Sequence, residues 1–123
     1  MHGMRFVDRC EEHAWDRVLD LHLSGEIAGV EDDGYIYLSV RKKRRGVHRL
    51  VMERMLGRAL LPGETPHHKN GRRGDNSEGN LELWVKPQLP GQRVEDLVDW
   101  VVKTYPEYVQ AAIVGALRDL RNP

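Results

Sequence analysis

The sequence contains a single cysteine, Cys10, among its 123 residues. One cysteine cannot form a disulfide within the chain, nor can it supply the paired cysteines of a zinc knuckle. No apolar run is long enough to form a transmembrane helix, so we expect no membrane partner. The first residues are acidic and lack an apolar segment, so we expect no secretory signal peptide. These features favour a reducing cytoplasm as the compartment.

The formal net charge is zero, but the two signs of charge are separated along the chain. Residues 1–40 carry three basic and nine acidic side chains, residues 41–73 carry eleven and two, and residues 74–123 carry five and eight. A block as basic as residues 41–73 is a candidate phosphate-binding surface. The alternative is a solvated surface whose charge is neutralised by the acidic flanks.

The first half of the chain has the periodicity of two helices and a strand. Residues 5–24 place apolar side chains at helical spacing, and residues 35–40 alternate as a half-buried strand does. Residues 41–46 are predicted to form a hairpin tip or loop. Residues 47–60 are predicted to form a short helix that ends near Gly57. Its apolar side is predicted to contain Leu50, Val51, Met55 and Leu56.

The second half predicts a strand, a polar loop, a second strand and then two helices. We expect Glu64–His68 and Leu81–Val85 to pair as short antiparallel strands, with a helix over residues 91–105 and a last helix after Pro106. The mixture of helices and antiparallel strands indicates the α+β class.

Two adjacent histidines, His67 and His68, stand near the end of the first of these strands. Neighbouring side chains on a strand point to opposite faces, so one imidazole can bind a metal while the other faces an incoming water. Asn80 begins the second strand and can reach back to the loop or to an imidazole. The loop itself contains residues that are common in turns, namely Asn70, Gly71, Asp75, Asn76 and Gly79. Turn preference alone explains each residue singly, but it does not readily explain the whole string.

The segment VHRLVMERMLGRALLPGETPHHKNGRRGDNSEGNLELW resembles the HNH endonucleases of the ββα-metal (His-Me finger) superfamily. It is most similar to small phage and bacterial members that carry HHxNG, DN and NLEL in this order. The resemblance continues through QLPGQRVEDLVDWV and covers residues 34–102. It implies an α+β fold built on a ββα-metal motif, with an upstream β-hairpin and helix.

The resemblance, together with the helical periodicity on either side of it, predicts an organisation and a setting. Residues 1–33 are expected to be an N-terminal helical extension, residues 34–105 the nuclease domain and residues 106–123 a C-terminal helix. The expected partner is DNA, and a homodimer remains open. The expected location is the cytoplasm of a bacterial or phage-infected host cell. The expected cofactor is one divalent ion, Mg²⁺ first, with Mn²⁺, Ni²⁺ or Zn²⁺ as alternatives.

The family pattern assigns roles to three residues at the centre of the motif. His68 corresponds to the general base, which takes a proton from the attacking water and faces water in the free enzyme. His67 corresponds to the first metal ligand. Asn80 corresponds to the middle Asn, which braces the loop and helps to hold the base. Asp75 and Asn76 match the DN pair that shapes the turn.

The sequence departs from the family pattern at the third metal ligand. The usual His or Asn position in the following helix is Leu89, which cannot ligate a metal. Gln92 is the first candidate to replace it and Gln88 the second, since a Gln carbonyl oxygen can bind a hard cation. A weak metal site would favour a different function, that of a DNA-binding or phage-packaging accessory protein on the same scaffold. An RNA-binding module is a third hypothesis, although no RNP-type aromatic motif is present.

The basic block would supply contacts to DNA phosphates. Arg49, in the upstream HR pair, is a candidate phosphate clamp, with pairing to an acidic residue as the alternative. His48 is expected to be structural, and Trp84 and Trp100 are expected to lie in the core or against a domain face. The full set of candidate DNA-binding residues is Arg41, Lys42, Lys43, Arg44, Arg45, Arg49, Lys69, Arg72 and Arg73.

Overall fold

The computed structural model describes residues 2–86 and 93–121, with side chains described from residue 11 onward. Two compact units are present, Met1–Lys86 and Pro87–Pro123, and each is described by itself. The described residues form four α-helices and two small antiparallel sheets. The predicted α+β class is therefore confirmed. No helix among the described residues combines the length and apolar character needed to cross a bilayer.

The first unit opens with helix α1, His2–Leu23, followed by an antiparallel sheet of β1 (Val30–Asp32), β2 (Tyr35–Val40) and β3 (Lys43–Gly46). The β1–β2 turn has positive φ at Asp33 (53°) and Gly34 (85°), and the β2–β3 turn has it at Arg41 (51°) and Lys42 (68°). Two consecutive positive φ values characterise the tight hairpin turn whose twist matches the strands.

The predicted hairpin tip or loop over residues 41–46 is confirmed as a hairpin tip at its first two residues and is wrong for the other four. Only Arg41 and Lys42 form the turn, and the four residues that follow pair with β2, with Lys43 opposite Val40. The sequence does not reveal this strand, because its long basic side chains lie along an exposed sheet edge and do not alternate with apolar ones.

Helix α2, Val47–Leu56, follows β3 directly and ends at Gly57, whose φ of 71° is left-handed. The Gly57 N–H donates to the carbonyls of Arg54 and Glu53, as a glycine C-cap does. The predicted apolar side needs one correction, because Met55 is 42% exposed whereas Met52 is 2% exposed. The buried residues of this helix are Val47, Leu50, Val51 and Met52.

Strands β4 (Glu64–His68) and β5 (Leu81–Val85) form the second sheet and have the predicted bounds. A short 3-10 turn, Glu78–Asn80, leads from the polar loop into β5. The register places His67 opposite Glu82 and His68 opposite Leu81. Pro66 is tolerated, since a strand of a two-stranded sheet always has an unpaired side.

The core of the first unit connects both of its sheets to its helices. Leu81 of β5 is buried with residues of α2, and α1 contributes Trp15 and Leu19 to the same cluster. The complete set of buried apolar side chains is Trp15, Leu19, Leu38, Val47, Leu50, Val51, Met52 and Leu81. This cluster anchors the ends of the polar loop, because α2 packs against β4 and against the start of β5.

The second unit is a pair of helices, α3 (Val94–Thr104) and α4 (Pro106–Arg121). Glu95 and Asp96 lie in the first turn of α3, where carboxylates are favoured by the helix dipole. The helix predicted over residues 91–105 is thus observed from Val94 onward, and residues 91 and 92 lie outside the described part. Tyr105 joins the two helices and packs edge-to-face on Trp100 and Tyr108.

Candidate active site

His67 and His68 have different environments, as the strand geometry predicts. The side chain of His68 faces inward and the residue is 6% exposed, whereas the side chain of His67 is 40% exposed. The expectation that His68 faces water in the free protein is therefore wrong. The reason is that β4 alternates, with Glu64, Pro66 and His68 on the side that is covered by the unit.

The buried imidazole of His68 has a partner in the polar loop. Its Nε2 lies 2.8 Å from Oδ1 of Asn76. An amide oxygen only accepts hydrogen bonds, so a neutral His68 carries its hydrogen on Nε2 and its lone pair on Nδ1. The nitrogen that can accept a proton is therefore Nδ1.

Asn80 holds the loop rather than the imidazole. Its Oδ1 accepts from the backbone N–H of Asn70 at 3.1 Å, and its Nδ2 donates to Asn70 Oδ1 at 3.0 Å and to the Asp75 carbonyl at 2.8 Å. Asn80 thus bridges both ends of the turn, as predicted, while the direct contact with His68 is made by Asn76. Sequence reasoning assigned Asn76 only to the turn, because the path of a long polar loop is not visible in its composition.

Asp75 completes the hydrogen bonding of the loop. Its carboxylate accepts from the Ser77 hydroxyl at 2.8 Å and from Nδ2 of Asn70 at 2.9 Å. The hydrogen bonds from Ser77, and then the bond from Asn70, lower the pKa of Asp75. Asp75 is therefore a charged turn residue that orders the segment carrying Asn76.

His67 lies in a second cluster, on the exposed face of the β4–β5 sheet. Its Nδ1 lies 3.1 Å from Oε1 of Glu82, and its ring stacks on the indole of Trp84 with centroids 3.8 Å apart. The hydrogen bond from Trp84, followed by the one from His67, lowers the pKa of Glu82. Trp84 is 52% exposed, so of the two predicted positions, in the core or against a domain face, the core position is wrong. Sequence reasoning missed Glu82, because a loop of this length leaves the pairing register open.

His48 packs beside the buried histidine. The ring of His48 lies 5.5 Å from the ring of His68 and 5.0 Å from the ring of Tyr35. Burial lowers the pKa of His48 to about 4, with smaller effects from His68 and Arg49. Its Nδ1 is buried and has no hydrogen-bond partner in the part of the chain that the structure describes. His48 is therefore a neutral packing residue beside His68, which agrees with the expected structural role.

The candidate DNA-binding residues divide into two groups. The paired residues are Lys43 with Glu11 at 3.2 Å, Arg44 with Asp32 at 3.2 Å, Arg45 with Glu53, and Arg73 with Asp33 at 3.1 Å. Those without an ion pair to any described side chain are Arg41, Lys42, Arg49, Lys69 and Arg72. The acidic flank thus neutralises part of the basic block, and Arg49 forms no ion pair with the side chains that the structure describes.

The described residues include only some of the side chains that are expected to bind a divalent ion. Among these residues, no group of three or more His, Cys, Asp or Glu side chains could hold a metal. Gln88 and Gln92, the expected further ligands, lie outside them. His67 suits a ligand role, since its imidazole is accessible and a carboxylate occupies its Nδ1.

Comparison with known families identifies the segment that contains these features. Comparison with curated proteins and comparison with solved structures each gave no significant match. A family model described as HNH endonuclease matches residues 45–88. The match begins at the end of β3, includes α2 and both histidines, and continues past β5. The segment of residues 45–88, which holds both histidines and the polar loop, is therefore similar to the HNH endonuclease family.

Proposed function

We propose that the protein is a metal-dependent endonuclease that hydrolyses DNA phosphodiester bonds, with His68 as general base and His67 as a metal ligand. The observation that carries the proposal is the division of the histidine pair between two partners. Nε2 of His68 is held by Asn76, and Nδ1 of His67 is held by Glu82. Each imidazole is thus left with one nitrogen for chemistry, and the two nitrogens differ.

The proposed proton transfer uses the free nitrogen of His68. Nδ1 of the neutral ring accepts a proton from a water molecule, and the resulting hydroxide attacks the phosphorus. The N–H at Nε2 donates to Oδ1 of Asn76 throughout the transfer. This hydrogen bond fixes the orientation of the ring and stabilises the imidazolium as it forms. His48 is neutral at pH 7 because its pKa is about 4, so it adds no positive charge beside the base.

His67 would hold the divalent ion together with a Gln ligand, Gln92 before Gln88. When bound, such an ion polarises a non-bridging phosphate oxygen and stabilises the charge on the departing 3′ oxygen. Mg²⁺ is the first expectation, with Mn²⁺, Ni²⁺ and Zn²⁺ as alternatives. A single imidazole with amide oxygens gives a weak site, so activity should require a high concentration of metal.

The five candidate cations without an ion pair are proposed as the main phosphate contacts. Arg41 and Lys42 extend from the β2–β3 turn, Arg49 follows His48, and Lys69 and Arg72 lie at the start of the polar loop. Because these side chains are not paired with a described carboxylate of the protein, no such ion pair has to break before they contact DNA phosphates. Lys69 directly follows His68 in the sequence, so a phosphate contact there would lie close to the proposed base.

The test is nicking of supercoiled plasmid with Mg²⁺, Mn²⁺ or Ni²⁺, using the parent chain and His68→Ala. His13→Ala is a matched control, because His13 is an exposed histidine of α1 without a described partner. The proposal expects metal-dependent nicking by the parent and by His13→Ala, and its loss in a folded His68→Ala. Equal nicking by all three would reject the assignment of His68.

The absence of a ligating side chain at Leu89 favours a second candidate function, that of a DNA-binding or phage-packaging accessory protein. The same experiment separates the two. A parent chain that shifts DNA in a gel but nicks with none of the three metals would support the accessory role. A chain that binds single-stranded RNA in preference to duplex DNA would instead support an RNA-binding module.

A further inference from the structure

Three groups converge on one carboxylate oxygen on the exposed face of the β4–β5 sheet. Glu82 lies directly opposite His67 in the strand register, and its Oε1 is 3.1 Å from Nδ1 of His67. The same Oε1 accepts the indole N–H of Trp84 at 3.0 Å. The indole ring lies on the imidazole with an interplanar angle of 13°. His67 is therefore held at its edge by a carboxylate and over its face by an aromatic ring.

The contact with Glu82 determines which nitrogen of His67 is available. A carboxylate only accepts hydrogen bonds, so neutral His67 carries its hydrogen on Nδ1 and its lone pair on Nε2. The stacked indole restricts rotation of the ring about its bond to the backbone. Histidines that bind metals usually donate their second ring N–H to such a partner, which fixes the tautomer and raises the basicity of the ligating nitrogen.

Stability gives little reason for this arrangement. The side chains of His67 and Glu82 are 40% and 42% exposed, and exposed ion pairs contribute little to folding. Trp84 is 52% exposed, so about half of its surface stays open to solvent in spite of the stacking. The ion pair adds little stability, but it determines which imidazole nitrogen of His67 stays available.

We propose that Glu82 is a positioning residue for the metal site, holding His67 so that Nε2 is the ligating atom, and that Trp84 restricts the ring from its face. This inference rests on the proposed function, in which His67 binds the divalent ion. It adds that a residue of the neighbouring strand, β5, sets the orientation of the ligand His67 on β4. The effect of Glu82 is transmitted through His67, and Glu82 itself does not bind the metal.

The experiment measures Zn²⁺ binding to the full chain by calorimetry, using the parent, Glu82→Ala, Glu82→Gln and His67→Ala. Glu78→Ala is the matched control, because Glu78 is a nearby exposed carboxylate without a described ion pair. Glu82→Ala should bind Zn²⁺ about 10–100-fold more weakly, in line with other partners of metal-bound histidines. Glu82→Gln should recover part of this loss, since its amide oxygen still accepts from Nδ1. Glu78→Ala should bind as the parent does.

A spectroscopic readout separates positioning from a general structural effect. Long-range ¹H–¹⁵N spectra of the parent should show the hydrogen of neutral His67 on Nδ1, and Glu82→Ala should lose this preference. Addition of Zn²⁺ should shift Nε2 of His67. A shift at Nδ1 instead, or parental affinity in Glu82→Ala, would overturn the inference about Glu82.

The variants also separate this inference from the proposed function. If His67→Ala binds Zn²⁺ as tightly as the parent, the metal-ligand role of His67 fails, and the inference fails with it. If His67→Ala loses binding while Glu82→Ala keeps it, only the positioning role of Glu82 is rejected. Thermal melting of each variant should be close to that of the parent, because the substituted side chains are exposed.

Discussion

The imidazoles of His48 and His68 pack 5.5 Å apart, although one lies in the first turn of α2 and the other at the end of β4. The two rings and Tyr35 form an aromatic cluster, with the Arg73 guanidinium 4.8 Å above the Tyr35 ring. Folding thus places one histidine without an assigned chemical role against the proposed base.

The stability of the fold should decrease as the pH is lowered, because His48 has a lower pKa in the folded protein than in the unfolded chain. Its pKa is about 4 in the folded protein, lowered from 6.5, so the unfolded chain binds the proton more readily as the pH falls below 6.5. Stability is therefore full above about pH 6.5 and declines towards pH 4. At 1.36 kcal/mol per pKa unit, the upper limit of the loss is about 3–4 kcal/mol, and solvent screening of this partly exposed ring makes the loss smaller. Urea unfolding of the parent and of His48→Gln at pH 7 and at pH 4.5 measures it.

The difference between parent and His48→Gln should shrink or reverse at the lower pH. Carboxylates that titrate in this range affect both proteins alike and cancel in the comparison. An unchanged difference between the two pH values would show that His48 is not buried as a neutral ring.

His68→Ala should abolish nicking and also cost stability. A positioned base contributes roughly 10²–10⁴-fold to the rate, and most of this should be lost. Because His68 is 6% exposed, its removal also leaves a gap beside His48 and frees Asn76, at a cost of about 1–3 kcal/mol. Nicking rates measured well below the melting temperature of the variant separate the two effects.

Asn76→Ala should slow nicking while keeping the base itself. Without the amide oxygen, Nε2 of His68 loses its partner at 2.8 Å, and the tautomer with its lone pair on Nδ1 is no longer favoured. We expect a loss smaller than that of His68→Ala and a changed pH–rate profile. A parental profile would mean that Asn76 serves only the turn.

Asn80→Ala should destabilise the loop by removing three hydrogen bonds at once. Asn80 is buried and serves the Asn70 backbone N–H, the Asn70 side chain and the Asp75 carbonyl. The expected cost is about 1–3 kcal/mol if the partners are left unsatisfied. Thermal melting measures the cost, with the exposed Ser77→Ala as a comparison of smaller effect. Activity should fall as well, since the same loop carries Asn76.

Lys42 and Lys43 are adjacent lysines that should respond differently in DNA binding. Lys42 has no ion pair to a described side chain, whereas Lys43 is 3.2 Å from Glu11. Lys42→Gln should reduce the log–log salt dependence of binding by about 0.9, the value for one phosphate contact on duplex DNA. Lys43→Gln should reduce it less, because its charge is already partly used within the protein. Titrations of one duplex at several salt concentrations test this, and equal slopes for both variants and the parent would contradict it.

Lys42→Gly should stabilise the protein while weakening its binding to DNA. Lys42 has a φ of 68°, in the left-handed region that glycine adopts without steric cost. Relief of this strain, less the greater flexibility of glycine in the unfolded chain, should leave a gain of about 0.5–1 kcal/mol. Melting and DNA titration of the same variant should therefore move in opposite directions. A gain in both would exclude Lys42 from the DNA contact.

The sequence determined the elements that depend on neighbouring residues. Alternation in Glu64–His68 and Leu81–Val85, with turn-forming residues between them, is a local property, and both strands have the predicted bounds. The similarity to HNH endonucleases is found in the same stretch, since the family model matches residues 45–88. The loop-bracing role of Asn80 was also predictable, because the motif places it where the loop meets the strand.

The tertiary structure decided the partners of these residues. The register of β4 and β5 places Glu82 opposite His67, and the fold of the loop brings Asn76 to His68. Packing of α1 and of the β1–β2 turn brings acidic side chains to Lys43 and Arg73 from 32 and 40 residues away. Local pattern carries no information about such contacts, because each depends on how separate elements dock and on which faces the core buries. The composition therefore identified the basic block of residues 41–73, and only the fold shows which of its charges are paired with described carboxylates.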